Sequence, residues 1–424
     1  MTHKMLETSR TMKHTSLAES YAHAHPPTDK RTIGFDPALQ YVSTTGQHAF
    51  VSPGPGDFRG PCPGLNAMAN QLRLRVVPLL IATNRFMLGS GYIPHNGIAT
   101  IDQLVNGSYT VFGMGRELAL SLAVYGTVMD GDITLLSVSI GEGNNSFLTQ
   151  NGLTGSHNNF ESDASPIKGD LFQYGNNHDV QMTQFFQLYN LQSNASDPSQ
   201  VNYDIDVLTT FRLARFQQSI DNNPYFFNGP ITGILFQPAA YHFIYRLMAN
   251  KSEEYPEGRL DREVLKSFYG ITGSEEDDFV YTSGYERIPD NWYKRAIGDE
   301  YGIVSHFDEL SGIALAHPKF LSIGGNTGQV DSFTGVDLTD LTGGVYHAST
   351  LLEGNNLKCF TLQAMMMHFP IGATGPLEGV LDELADMADP LLRAWDCPEL
   401  EKIDESLLEK FPGYSRYPGM EIRD

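Results

Sequence analysis

Between Ile101 and Met129 apolar side chains recur at helical spacing, with Met114, Leu118 and Leu122 on one face, until Met129-Asp130-Gly131-Asp132 stops the run. The spacing predicts a core helix there. Residues 203–221, YDIDVLTTFRLARFQQSID, predict another, ended by Asn222-Asn223-Pro224, and KCFTLQAMMMHF and LEGVLDELADMADPLLRAW predict two more late in the chain. Long alternating runs are scarce and no internal repeat is found, so the expected fold is mainly α with long loops. Residues 1–35 read as a polar, disordered tail, followed by the Gly/Pro-rich VSPGPGDFRGPCPG and, later, a Gly/Asn-rich loop over 141–159. The ordered domain is expected over 36–400, with 401–424 as a C-terminal extension.

Composition narrows the partners. The chain has 424 residues and is 41% hydrophobic, enough for a large core, and the length alone would allow two or three domains. A net charge of -22 and a pI near 4.9 leave no basic face for phosphates, which excludes nucleic acid as a partner. No segment has the roughly 20 apolar residues of a membrane span. The polar start lacks the apolar core of a secretory signal, which predicts an intracellular protein. The triplets at Asn106, Asn144, Asn194 and Asn250 fit N-glycosylation and point weakly to secretion, the reading that holds if the N-terminus is mis-assigned. Three cysteines, Cys62, Cys359 and Cys397, make neither a disulfide scaffold nor a zinc-type CxxC site.

Cys62 stands between two prolines, in RGPCPGLNAMAN. Pro61 and Pro63 restrict the backbone and Gly64 permits close approach, which holds the cysteine rigidly at a helix entrance. Its sulfur would then face amide groups and the positive end of a helix dipole, both of which favour thiolate. An axial haem ligand needs such a thiolate, because those hydrogen bonds tune how much electron density sulfur gives iron. A buried packing cysteine or a surface cysteine remains the alternative.

RGPCPGLNAMAN, GYIPHNGIAT, FGMGRELA, FESDAS, GNNHD and FQQSIDNNPYF occur in the order and approximate spacing of the fungal haem-thiolate peroxidases, and AHPKFLSIGGNTGQVDSFT resembles a later segment of that family. The chain resembles the chloroperoxidase and unspecific peroxygenase family, in its longer form. The resemblance implies a single helical haem-binding domain using hydrogen peroxide to oxidise or hydroxylate a small organic substrate, with secondary metabolism as its setting. It implies haem b on Cys62, and Mg²⁺ held by the Glu161 carboxylate, the Ser162 carbonyl and the Ser165 hydroxyl with a haem propionate. Phe112 and Phe160 match positions where the family places aromatics over the distal face of the haem. One disulfide is frequent in the C-terminal region of long forms, and the spacing of Cys359 and Cys397 is compatible with it, although in a reducing cytosol both would stay free.

Three departures stand out. The family has Gly or His where this chain has Ser162, which can offer a carbonyl but no imidazole. Long forms carry Arg and Glu on the helix after the Asn-Pro break, yet NPYFFNGPITGILFQPAAYHFIYRLMAN has no Arg-x6-Glu. His242 is the titratable residue of its AAYHF segment and is the expected acid-base, with Gln237 near the missing arginine and His157 as a weaker candidate. Finally, residues 71–90, QLRLRVVPLLIATNRFMLGS, form an unusual insert, either a lid or partner surface or an unspliced intron. The second function class is a haem-binding sensor, carrier or scaffold with weak or lost peroxide activation. The sequence assigns neither the substrate nor the oligomeric state.

Overall fold

The computed structural model describes residues 34–71, 92–143, 151–193, 197–370 and 373–414. Of the expected tail only Gly34 and Phe35, and of the expected insert only Gln71, lie within those residues.

The fold is mainly helical. Helix α1 (Pro63–Asn70) begins at Cys62, with Pro63 in the first turn, where its missing N–H costs nothing. Helix α2 (Ile101–Phe112) opens with a capping box in which the Gln103 amide donates to Thr100 Oγ1 and the Thr100 amide to Gln103 Oε1. Helix α3 (Arg116–Asp130) follows at once. The single helix expected from Ile101 to Met129 is therefore two. Gly113 ends α2 in the left-handed region, with φ 66° and a position where a Cβ would lie 2.9 Å from Arg295 Cβ, and Gly115 starts α3. The apolar periodicity runs through this break because α2 and α3 pack directly on each other and face one core.

Helices α4 (Met182–Tyr189), α5 (Ile205–Asn222), α6 (Gln237–Met248), α7 (Arg262–Phe268), α8 (Ile303–Ala316), α9 (Asn356–Met366) and α10 (Glu378–Ala394) complete the framework. Asp204 caps α5 by accepting from the Val207 amide at 3.0 Å, and α5 ends before Pro224. A π-turn, Thr232–Phe236, leads into α6. Pro238 has no N–H to offer the Ile234 carbonyl four residues back, which favours a wider turn at this point.

The strands are short and antiparallel. β1 (Ile98–Thr100) pairs with β2 (Ser137–Ser139), Ala99 opposite Val138. β3 (Phe227–Asn228), β6 (Gly324–Gly325) and β7 (Thr334–Gly335) form a second sheet in that order, and β4 (Ile271–Thr272) pairs with β5 (Val280–Tyr281). One hydrophobic core runs from Val42 to Phe411, so Leu408 and Phe411, in the stretch read as an extension, are buried with the rest. A smaller cluster gathers Ala164, Phe216, Ile220, Phe226, Ile313 and Phe320. Cys359 and Cys397 form a disulfide with Cα atoms 5.4 Å apart, tying α9 to the chain after α10.

Candidate active site

The loop before α1 is held by side chains of α1 itself. Gly60 N–H donates to Asn66 Oδ1 at 3.0 Å, Asn66 Nδ2 returns a bond to the Gly60 carbonyl at 2.8 Å, and the Asn66 amide donates to the Cys62 carbonyl at 3.1 Å. Arg59 grips Asn70 Oδ1 from Nε and Nη2, at 2.9 and 2.8 Å. Cys62 is thereby fixed at the N-cap of α1 with a free thiol, partly accessible, and it lines two adjoining cavities. Burial pushes the thiol up to about 11, outweighing the Leu65 and Gly64 amides and Lys168, which favour thiolate. The expected pull of the helix entrance is present, but desolvation is larger, so a metal must displace the proton.

The cavities, which with the adjoining space open to solvent enclose about 770 and 870 Å³, share Cys62, Leu122, Phe160, Glu161, Phe243 and Met248 as walls. The first is bounded by Ser162, Ser165, Lys168, Gln237, Ala239 and Tyr269, the second by apolar residues of α1, α2 and α3. This is a large, largely apolar space with a cysteine on its wall and few polar groups. It fits a flat macrocycle bound through sulfur, with room for an organic molecule beside it.

The loop 161–165 is locked from behind. Gln237 Nε2 donates to the Asp163 carbonyl at 3.4 Å, Tyr241 Oη to that of Ala164 at 2.8 Å and Arg215 Nε to that of Ser165 at 3.1 Å. Asp163 accepts from the Leu171 amide and Asn223, and Asp170 from the Ala164 amide and Arg215. Ala164 is left-handed at φ 57°, a strained state for a residue with a Cβ that this bonding holds in place. Among the described residues no donor reaches the Ser162 carbonyl. Burial pushes the Glu161 carboxyl up to about 7, with Lys168 drawing it down. Among the described residues no three His, Cys, Asp or Glu gather to hold a metal. A cation here would rest on one carboxylate plus carbonyl and hydroxyl oxygens.

The structure brings Glu161, Ser162, Ser165, Phe112 and Phe160 to the walls around Cys62. Phe160 stacks on Phe236 with centroids 4.5 Å apart, while Phe112 lies against Gly64, on the side of the cysteine helix. His242 is not brought there. It is buried on α6, lines neither cavity, and has Nδ1 3.7 Å from Glu309 Oε2. Burial lowers it to about 3 despite Glu309, so it is a neutral core histidine. His157 also stands off the cavities, its Nδ1 3.3 Å from Asn177 Nδ2, and burial lowers it to about 4. Gln237 does line the first cavity, its Oε1 accepting from Arg212 Nε at 2.8 Å. Lys168 was missed by the sequence reading. Its one signal is that it is the cation nearest after the Glu161–Ser165 motif.

Comparison with known proteins gives the family. The family described as "Peroxidase, family 2" matches residues 48–72 and 87–297, and the gap falls inside the stretch read as an insert. The chain is 40% identical over 398 residues to the dothistromin biosynthesis peroxidase dotB of Dothistroma septosporum, covering 91% of this chain and 89% of the relative. It is 34% identical over 410 residues to the aromatic peroxidase fscJ of Fusarium equiseti, covering 91% and 87%. An aromatic peroxygenase of Cyclocybe aegerita is 27% identical over 293 residues, covering 66% and 64%. The family match and these relatives place the chain among the fungal-type haem-thiolate peroxidases. The chain belongs to peroxidase family 2 and is an oxidoreductase that uses peroxide; the family implies haem as its cofactor.

Proposed function

We propose that this peroxidase binds haem b through Cys62, with Mg²⁺ on Glu161, the Ser162 carbonyl and the Ser165 hydroxyl, and oxidises or hydroxylates an apolar aromatic intermediate of secondary metabolism. The observation that carries the reading is the free Cys62 thiol, held at a helix N-terminus and opening on the apolar cavity that also meets Glu161. Bound haem supplies peroxide activation, with the sulfur ligand donating electron density. The chain supplies the rest. The Gly60–Asn66 clamp aims the sulfur, and its Leu65 and Gly64 amides temper its charge. Phe160, Phe236 and Phe243 keep the space dry and favour a flat apolar substrate. The Ser162 carbonyl and Glu161 offer hard oxygens, the donor type Mg²⁺ prefers. Gln237 lines the cavity with its amide engaged by Arg212 and the Asp163 carbonyl, so its part is to hold the wall and the 161–165 loop in place.

The names of the relatives, one in dothistromin biosynthesis and two aromatic, support a biosynthetic aromatic substrate. They disfavour the haem sensor or carrier. The test is the absorption spectrum of the haem-loaded protein, reduced and under carbon monoxide, beside Cys62→Ala. A strongly red-shifted Soret band in the parent alone supports the reading, and identical spectra overturn it.

A further inference from the structure

Among the described residues, buried lysines are satisfied with one exception. Lys251 Nζ donates to the Glu257 carbonyl at 2.9 Å, Lys266 Nζ to the Gly273 carbonyl at 2.7 Å, and Lys294 Nζ to the Tyr109 carbonyl at 3.4 Å. Lys168, only 4% exposed, has no hydrogen-bond partner at Nζ among the described residues. Its backbone is pinned by a bridge to Val180, so the side chain cannot simply swing to solvent with the loop. It lines the first cavity beside Cys62, Glu161, Ser162 and Ser165, and is the only Lys, Arg or His on the described walls of either cavity. Glu161, Asp179 and Glu286 act on it at a distance, but no carboxylate of the described residues forms an ion pair with it.

A buried lysine amine without a partner is costly to a fold, and a bound anion offsets that cost. The ligand must be an anion that enters the cavity with Cys62. Haem b carries two carboxylates at one edge and binds by the sulfur on the same wall. We propose that Lys168 is a carboxylate clamp, its ammonium receiving a propionate of the haem bound at Cys62. The assignment rests on the haem-thiolate reading. It gives the site a cation against Glu161, the thiolate and the propionates, beside any Mg²⁺ on Glu161.

The test uses the full-length chain loaded with haemin or with haemin dimethyl ester, Mg²⁺ present throughout, and follows haem transfer to excess apomyoglobin. Both propionates are lost in the diester, so the wild type should release it at least tenfold faster than haemin, and one charge-assisted hydrogen bond corresponds to about a tenfold share of that ratio. Lys168→Met should cut the diester-to-haemin ratio about tenfold, leaving what Mg²⁺ contributes, and Lys168→Arg should restore it. A Lys168→Met protein that keeps the wild-type ratio, or a wild type that holds both equally, overturns the clamp alone. A wild type that takes up neither compound overturns the haem reading with it. Without haem, Lys168→Met should melt at a higher temperature than the wild type, because the unpartnered charge is gone; a lower melting temperature counts against the clamp.

Discussion

Asn66 and Gly60 hold each other by two reciprocal hydrogen bonds, of 3.0 and 2.8 Å, across the turn that carries Cys62. The side chain thus fixes the direction from which the chain enters α1. Gly60 has no room for a substitute, since a Cβ there would lie 2.1 Å from the Ile140 carbonyl oxygen. Asn66→Ala leaves the Gly60 amide and carbonyl unsatisfied in a buried site, and should lower stability by about 1–3 kcal/mol. Haem per polypeptide should fall with it. Denaturant unfolding and the Soret absorbance check both; unchanged haem occupancy would show that the clamp does not aim the sulfur.

Glu309 is the anchor of a buried cluster behind α6. Burial raises its carboxyl, but Arg246, bonded to Oε1 from Nε and Nη2 at 2.9 and 2.6 Å, together with the Tyr301 hydroxyl, which donates to Oε2, brings it down to about 2. The folded value lies below the ordinary 4.5, so the contribution is full above that pH and is lost as pH falls toward 2. A shift of this size corresponds to roughly 3 kcal/mol. Glu309→Gln should destabilise strongly at pH 7 and much less at pH 3. Equal losses at both pH values in urea titrations would contradict the ion-pair origin.

His242 stands behind the cavity wall and Gln237 on it. His242→Ala should leave peroxide-dependent turnover per haem unchanged while lowering the melting temperature, whereas Gln237→Leu, which strands the buried Arg212 Nε and the Asp163 carbonyl, should lower both turnover and the melting temperature. Steady-state kinetics normalised to haem decide between them; a collapse in His242→Ala turnover at full haem occupancy would restore the histidine as acid-base.

Gly126 lies on α3 at the apolar cavity, where a Cβ would make ordinary contacts with Leu153 and Phe160 at 3.8 Å. Gly126→Ala should stabilise the helix by about 0.5–1 kcal/mol. Gly126→Leu should fill part of the cavity and weaken binding of bulky aromatics more than small ones, read by difference spectra across a size series. The same loss for every size would place the substrate elsewhere.

Cys359 and Cys397 close a loop of 38 residues. By chain entropy the bond is worth about 4 kcal/mol. Cys397→Ser should lower the unfolding free energy by that order, and dithiothreitol should do the same slowly, because Cys359 is 1% exposed. Thiol counting on the protein from its own host should find Cys62 alone free; three free thiols would mean that the chain works in a reducing compartment.

The sequence by itself pointed to the helices at 205–222, 356–366 and 378–394, because helix-forming apolar residues run through each and Asn222-Asn223-Pro224 stops the first. It also determined the family, since Pro-Cys-Pro, Glu161–Ser165 and GNNHD are local patterns that survive without knowledge of packing. The break at Gly113 was not legible, because α2 and α3 turn their apolar faces to one core and the period carries across. Nor was the direction of His242. An imidazole on α6 reads alike whether it faces the cavity or Glu309, and only the packing of α8 against that face decides. Lys168 was invisible for the same reason, since its meaning lies in the partners it lacks and the cavity it meets. Tertiary structure alone decides such matters because burial, pairing and direction toward a cavity belong to contacts between segments distant in the chain, whereas a sequence pattern records only neighbours.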